Sequence, residues 1–147
     1  MPVDIIELGP EAADATVALW QACGLTRPWN DPYSDFRRAV EGGSSAVLGT
    51  YEGDELIGTA MVGVDGHRGW VYYVASSPDR RGQGIGHALM TAAEAWVETR
   101  GMPKIQLMVR RSNTAVVDFY AALGYEEQDC VVLGRRFDGS SGGAVTS

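Results

Sequence analysis

The stretch Arg80-Arg81-Gly82-Gln83-Gly84-Ile85-Gly86-His87-Ala88-Leu89 (RRGQGIGHAL) sets three glycines and two arginines where one apolar pattern ends and another begins. Upstream, Trp70 to Ala75 is aromatic and β-branched and reads as a strand. Downstream, Ile85, Leu89, Ala92 and Trp96 recur at i, i+4, i+7 and i+11, which predicts a helix running to Arg100 and Gly101. A strand-to-helix junction presents unpaired N–H groups and the positive end of the helix dipole, a combination that suits a phosphate. With no side chains at 82, 84 and 86, an anion can lie against that backbone, and Arg80 or Arg81 can add charge from the flank. These residues alone leave a plain glycine-rich turn as the alternative.

Spacing removes two phosphate motifs. A dinucleotide G-x-G-x-x-G beginning at Gly82 needs glycine at 87, where His87 stands, and an acidic residue about 20 positions on, near Lys104. A nucleotide P-loop beginning at Gly82 needs the same glycine followed by Lys-Ser/Thr, whereas Ala88-Leu89 follow.

Outward from this junction the chain alternates strand and helix patterns. Val3 to Leu8 reads as a short strand, and a helix opens at Gly9-Pro10-Glu11, with Ala15, Leu19 and Ala22 in register until Gly24. The loop from Leu25 to Pro32 leads through a capping Asp31 into a second helix from about Tyr33 to Glu41. Ser45 to Tyr51 and Leu56 to Val64 read as a hairpin about Glu52-Gly53-Asp54-Glu55. Ile105, Leu107 and Val109 alternate as a strand, Ser112-Asn113 caps a helix with Val116, Phe119 and Leu123 on one face, and Tyr125 to Phe137 suits two final short strands. The fold class is α/β (α+β): a mixed sheet covered by helices, in one domain over residues 1–138, with a flexible Gly/Ser-rich tail over 139–147.

Composition narrows the function classes. A formal net charge of −7 opposes broad binding to nucleic acid or an anionic membrane. No segment approaches the roughly 20 apolar residues of a membrane span and no charged leader precedes an apolar run, so a cytoplasmic protein is expected. Cys23 and Cys130, with two histidines, are too few for a zinc cage or a disulfide framework, and both read as buried small hydrophobes; no metal is expected.

The run Arg81-Gly82-Gln83-Gly84-Ile85-Gly86, after a strand and Ser77-Pro78 and before an amphipathic helix, resembles the acyl-coenzyme A site of the GNAT N-acetyltransferase superfamily. A second signature, Asn113 followed seven residues on by Tyr120 and then Leu123-Gly124-Tyr125, is similar to that family's and stands in the right order. Arg27 to Pro32, Asp65 to Gly69 and Pro103 to Gln106 resemble the small bacterial GNAT proteins called YpeA. The resemblance implies the GNAT fold: a central, mostly antiparallel sheet of six to seven strands flanked by about four helices. It implies acetyl-CoA as cosubstrate, with its pyrophosphate on the N–H groups of Gly82, Gln83, Gly84, Ile85, Gly86 and His87, and Arg81 at the flank. It implies that Val74, Ala75 and Ser76 bond the pantetheine arm as a neighbouring strand would, and that Asn113 lies near the pantetheine or the departing coenzyme.

Acetyl transfer to an amine needs a neutral nucleophile, stabilisation of the carbonyl oxygen and a proton for the departing thiolate. The resemblance makes Tyr120 the acid; read from spacing alone it is a half-buried aromatic beside Phe119, which belongs to the core. No base is assigned, because the strand Trp70-Val71-Tyr72-Tyr73-Val74 carries no carboxylate, and Asp65, His67, Tyr72 and Tyr73 act at best through water. Asp65 and His67 fit a turn-stabilising role equally well. For the acceptor, Trp29 and Tyr33 offer a wall and Asp31 or Asp35 an attraction for a cation; the alternative roles are a helix cap for Asp31 and a loop anchor for Trp29. Neither motif holds a cysteine to carry an acetyl group, which favours direct transfer in a ternary complex. The acceptor is an amine, on a small molecule or a protein, and a homodimer is left open. A coenzyme A-binding sensor with little activity is the competing reading.

Overall fold

A computed structural model describes residues 3–139, arranged as two compact units, 1–107 and 108–147. The Gly/Ser-rich tail lies, after Gly139, outside the described residues.

The first unit is built on a five-stranded sheet in the order β1 (Ile6–Glu7), β2 (Ser45–Glu52), β3 (Glu55–Val64), β4 (Gly69–Ser76) and β5 (Ile105–Leu107). The pairs β1–β2, β2–β3 and β3–β4 are antiparallel, whereas β4–β5 is parallel, because the helix α3 (Ile85–Thr99) carries the chain back between them. The hairpin between β2 and β3 closes through Gly53-Asp54, and Gly53 takes φ 60°, a conformation that glycine adopts without a Cβ penalty. Ala46 to Thr50 are all buried, as a strand covered on both faces must be.

Side-chain parity shows which helices cover which face. A Cβ on Gly58 would meet Ile85 Cγ2 at 2.6 Å and Leu89 Cδ1 at 3.1 Å, so the Gly58 face lies against α3. Thr59, pointing the other way, accepts a hydrogen bond from the indole of Trp20 in α1 (Ala13–Ala22) at 3.0 Å. Helices α1 and α3 therefore cover opposite faces. On the α1 face, Trp20, Phe36 and Ala39 pack with Leu8, Val47, Leu56 and Ala75, Phe36 and Ala39 coming from α2 (Pro32–Glu41). On the other face α3 buries Ile85, Leu89, Met90, Ala93, Trp96 and Val97. Gly69 admits Val97 near the helix's far end as Gly58 admits Ile85 near its start, which fixes the approach of α3 at both ends.

The second unit contains α4 (Thr114–Ala122) and no strand among the described residues. The sheet thus has five strands rather than the six or seven expected, and Tyr125 to Phe137 forms no strand pair. Val131, Val132 and Leu133 are 83%, 65% and 88% exposed, so this apolar triplet buries no face against a sheet, and Gly134 with two arginines follows it where alternation should continue. Strand β5 stops at Leu107 instead of Val109, and the first helix begins with a 3-10 turn over Pro10–Ala12. Phe119, expected in the core, is 37% exposed, and Tyr120 is the buried residue of α4. Cys130 is exposed rather than buried, and Cys23 is half-buried.

Gly58→Val should cost about 1–3 kcal/mol in urea unfolding, because the sheet-to-helix gap leaves no room for a branched side chain. Gly43→Ala, where a Cβ meets open space at negative φ, should stay within about 0.5 kcal/mol.

Candidate active site

Strand β4 carries one residue more than β3 can pair. Thr59 faces Ala75 and Met61 faces Tyr72, so Tyr73 and Val74 together oppose Ala60. Tyr73 takes φ 52°, the single non-glycine residue with positive φ among those described. Parity before the bulge would turn Tyr73 to the α3 face with Gly69 and Val71; instead its ring stacks on Trp20 of α1 at 3.8 Å and 8°. Its hydroxyl donates to Asp35 Oδ2 of α2 at 2.8 Å. Burial first, and then that bond, hold the Tyr73 phenol well above the usual tyrosine range.

Beyond the bulge, Val74, Ala75 and Ser76 continue β4 with one free edge. Strand β5 pairs only with Gly69, Trp70 and Val71, so no strand among the described residues lies beside Tyr72 to Ser76 on that side. The carbonyl of Ser76 accepts the Cys23 thiol at 3.3 Å, and Ser77 N–H donates to Ile57 O at 2.8 Å, which ties the end of the strand to α1 and β3.

A short 3-10 turn over Pro78–Arg80 then delivers the chain into the glycine turn. Gly82 and Gly84 adopt φ 83° and 79°, and Gly84 is the N-cap of α3 with no side chain bonded to the helix's first N–H groups. A serine or aspartate would normally fill that role; its lack leaves the donors and the dipole's positive end facing outward. Arg81, Gly82, Gln83, Gly84 and His87 are exposed, Gly86 is half-buried, and Ile85 is the buried anchor. The two flanking arginines differ. Arg80 pairs with Glu52 at 2.7 Å and Glu55 at 3.5 Å, which raises its pKa and commits it to the β2–β3 turn, whereas Arg81 has no ion pair among the described residues. A cleft of about 360 Å³ opens between α1 and the β2–β3 turn, lined in part by Ala18, Ala22, Leu56, Ser77 and Pro78; it adjoins the entry to the glycine turn without containing it.

Several other candidates are committed elsewhere. Asp65 Oδ1 accepts the N–H groups of Arg68 and His67 at 2.7 and 2.8 Å and its Oδ2 accepts the Trp70 indole at 3.1 Å, bonds that lower its pKa and make it a turn residue. Asp31 caps α2: it accepts the Ser34 hydroxyl at 2.9 Å and the N–H groups of Tyr33 and Ser34, and the Ser34 bonds lead in lowering its pKa. Tyr33 donates to Asp14 at 2.9 Å, and Asp35 is held between Tyr73 and Arg38. Tyr72 is exposed.

In the second unit Asn113 occupies the N-cap position of α4, and its side chain makes no capping bond. Tyr120 is 8% exposed, packs edge-on against Phe119 and Tyr125, and burial pushes its phenol up to about 12. Arg111 pairs with Glu127 at 3.0 Å.

The acetyltransferase (GNAT) family model matches residues 12–125. The chain belongs to the GNAT acetyltransferase family. An acetyltransferase of Pectobacterium atrosepticum is 45% identical over 123 residues, covering 84% of this chain and 87% of that protein. The aminoglycoside N-acetyltransferase AAC(6′)-Iy, bound to the bisubstrate analogue CoA-S-monomethyl-acetylneamine, superposes with TM-score 0.79 at 17% identity over 92% of this chain and 99% of its own. A ribosomal-protein alanine N-acetyltransferase of Escherichia coli gives TM-score 0.75 at 24% identity over 86% of this chain and 79% of its own. The chain is thus a member of an acetyltransferase family, and its fold is that of the N-acetyltransferases.

Sequence spacing identified the glycine turn but had no means of pairing Tyr73 with Asp35, which stand 38 residues apart and meet only through the packing of α2 on the sheet.

Burial of the Tyr120 phenol makes stability depend on pH at the alkaline end. Because the folded chain holds this proton up to about 12 while an unfolded tyrosine releases it near ~10, the unfolded state binds fewer protons in that interval. Stability should be at its full value below pH ~10 and fall as pH rises toward ~12. A 295 nm titration should lose one late-titrating tyrosine in Tyr120→Phe.

Proposed function

We propose that the chain transfers an acetyl group from acetyl-CoA to a primary amine, directly, in a ternary complex. The observation that carries the reading is the uncapped N-terminus of α3 at Gly84, continuous with a β4 edge that is free over Val74 to Ser76. The N–H groups of Gly82 to His87 would receive the pyrophosphate, with Arg81, unlike Arg80, available to approach it. The backbone of Val74, Ala75 and Ser76 would accept the pantetheine arm as an added strand, and Asn113 would lie near the pantetheine.

In the reaction the neutral amine nitrogen attacks the thioester carbonyl carbon, a C–N bond forms, and the C–S bond breaks to release thiolate. Tyr120 is the proposed acid. A phenol at about 12 is a weaker acid than a thiol near ~8.5, so Tyr120 would donate a hydrogen bond to sulfur as charge builds there. The proton that sulfur finally keeps is balanced by the one the attacking amine nitrogen loses on becoming an amide, and the proton the ammonium shed before attack goes to solvent. Tyr73 is excluded as a neutral-pH base by its raised pKa and its bond to Asp35, which leaves deprotonation of the acceptor to solvent or to the acceptor's own equilibrium. The neighbouring structures include an aminoglycoside enzyme and a ribosomal-protein alanine enzyme, which supports an acceptor amine on a small molecule or on a protein.

Acetyl-CoA at about a hundred times its Kd should raise Tm by about 5–10 °C, and thiol should be released when a panel of amines and peptides includes the acceptor. Tyr120→Phe should lose about a hundredfold in kcat while coenzyme A affinity stays within about threefold; unchanged turnover would remove Tyr120 from the mechanism. Gly84→Val should abolish the acetyl-CoA shift, since a branched side chain at φ 79° strains the turn and covers its N–H groups. A protein that binds acetyl-CoA yet acetylates nothing in the panel would be the coenzyme A sensor instead.

A further inference from the structure

Positive φ at a tyrosine is costly and persists only where surrounding contacts over-determine it. Three contacts converge on Tyr73. Its ring lies flat on Trp20, and its hydroxyl reaches Asp35 on α2. Its carbonyl accepts the Thr59 hydroxyl at 3.3 Å, and that hydroxyl is in turn fixed by the Trp20 indole at 3.0 Å. Trp20 is fully buried and meets Phe36 of α2 edge-on, so α1 and α2 grip the same residue from one face of the sheet.

The bulge has a consequence further along the strand. A one-residue slip exchanges the two faces and also exchanges which N–H and C=O groups point to each edge. With the bulge, Ala75 packs in the α1-side core beside Trp20; without it, Ala75 would share the face of Gly69 and Val71 against α3. The bulge therefore decides which backbone groups of Val74, Ala75 and Ser76 face the free edge.

We infer that Tyr73, clamped by Asp35 and Trp20, is a positioning residue for the cosubstrate: it holds the β4 bulge so that the Val74 to Ser76 backbone presents the correct groups at the open edge. This rests on the reading of that edge as the pantetheine site. The hydroxyl–carboxylate bond is the removable part of the clamp, because the ring stack survives its loss.

The test compares Tyr73→Phe, Asp35→Leu, the double variant and Asp35→Asn in the full chain, by calorimetric titration with coenzyme A and by amide hydrogen exchange without ligand. Tyr73→Phe and Asp35→Leu should each weaken coenzyme A about tenfold, the double variant no more than either alone, and Asp35→Asn, which keeps an oxygen acceptor for the phenol, less than about threefold. Amide exchange at Val74 to Ser76 should rise in the two weakened single variants and not in Asp35→Asn. Unchanged coenzyme A affinity in Tyr73→Phe, or additive losses in the double variant, would overturn the positioning role. Unchanged exchange would overturn the clamp itself. Wild-type protein that fails to bind coenzyme A while exchange responds as expected would sustain the clamp and overturn both the cosubstrate reading and this residue's part in it.

Discussion

A strand one residue too long for its neighbour is the constraint on which this structure turns. Strand β4 runs parallel to β5 at its start, antiparallel to β3 throughout, and must then deliver the chain to the base of α3. The extra residue is absorbed at Tyr73 and Val74, and the slip reassigns every side chain and backbone group beyond it. Core packing and the free edge are settled together there: Ala75 enters the α1-side core because Tyr73 left the α3 side.

The opposite face has its own constraint, and the two act in concert. Helix α3 sits close enough to the sheet that Gly58 and Gly69 have no room for a side chain, and this fixes where its first turn emerges. The N-terminus of a helix draws an anion through donors that its own ladder cannot use, but only if nothing else caps them. Gly84 supplies no side chain for that purpose, and Arg80, the nearer arginine to the strand, is drawn away to Glu52 and Glu55. The local charge balance is thus set by the β2–β3 turn as much as by the glycine run.

Much of this was legible in the chain itself. Period-2 and helical spacings placed the hairpin, β4, α3 and α4 to within about a residue or two, since each buries one face or stripe and so must repeat apolar residues at its own period. Tyr125 to Phe137 misled for the same reason. Its residues have strand propensity, but a strand also needs a partner edge and a covered face, and propensity reports neither. Phe119 and Tyr120 were likewise exchanged: adjacent positions on α4 differ by about 100° of rotation, and only packing tells which of two aromatics turns inward.

By itself, then, the sequence determined the family, the order of elements as far as α4 and the glycine-rich turn before α3, because glycines at fixed spacing and amphipathic periods are local properties of a chain. The tertiary structure alone decided which charged groups are spoken for. Asp31 caps α2, Asp65 holds a turn, Arg80 serves a hairpin, and Asp35 is joined to Tyr73 across 38 residues. Hydrogen bonds and ion pairs are satisfied between elements brought together by packing, and no spacing along one chain encodes that meeting.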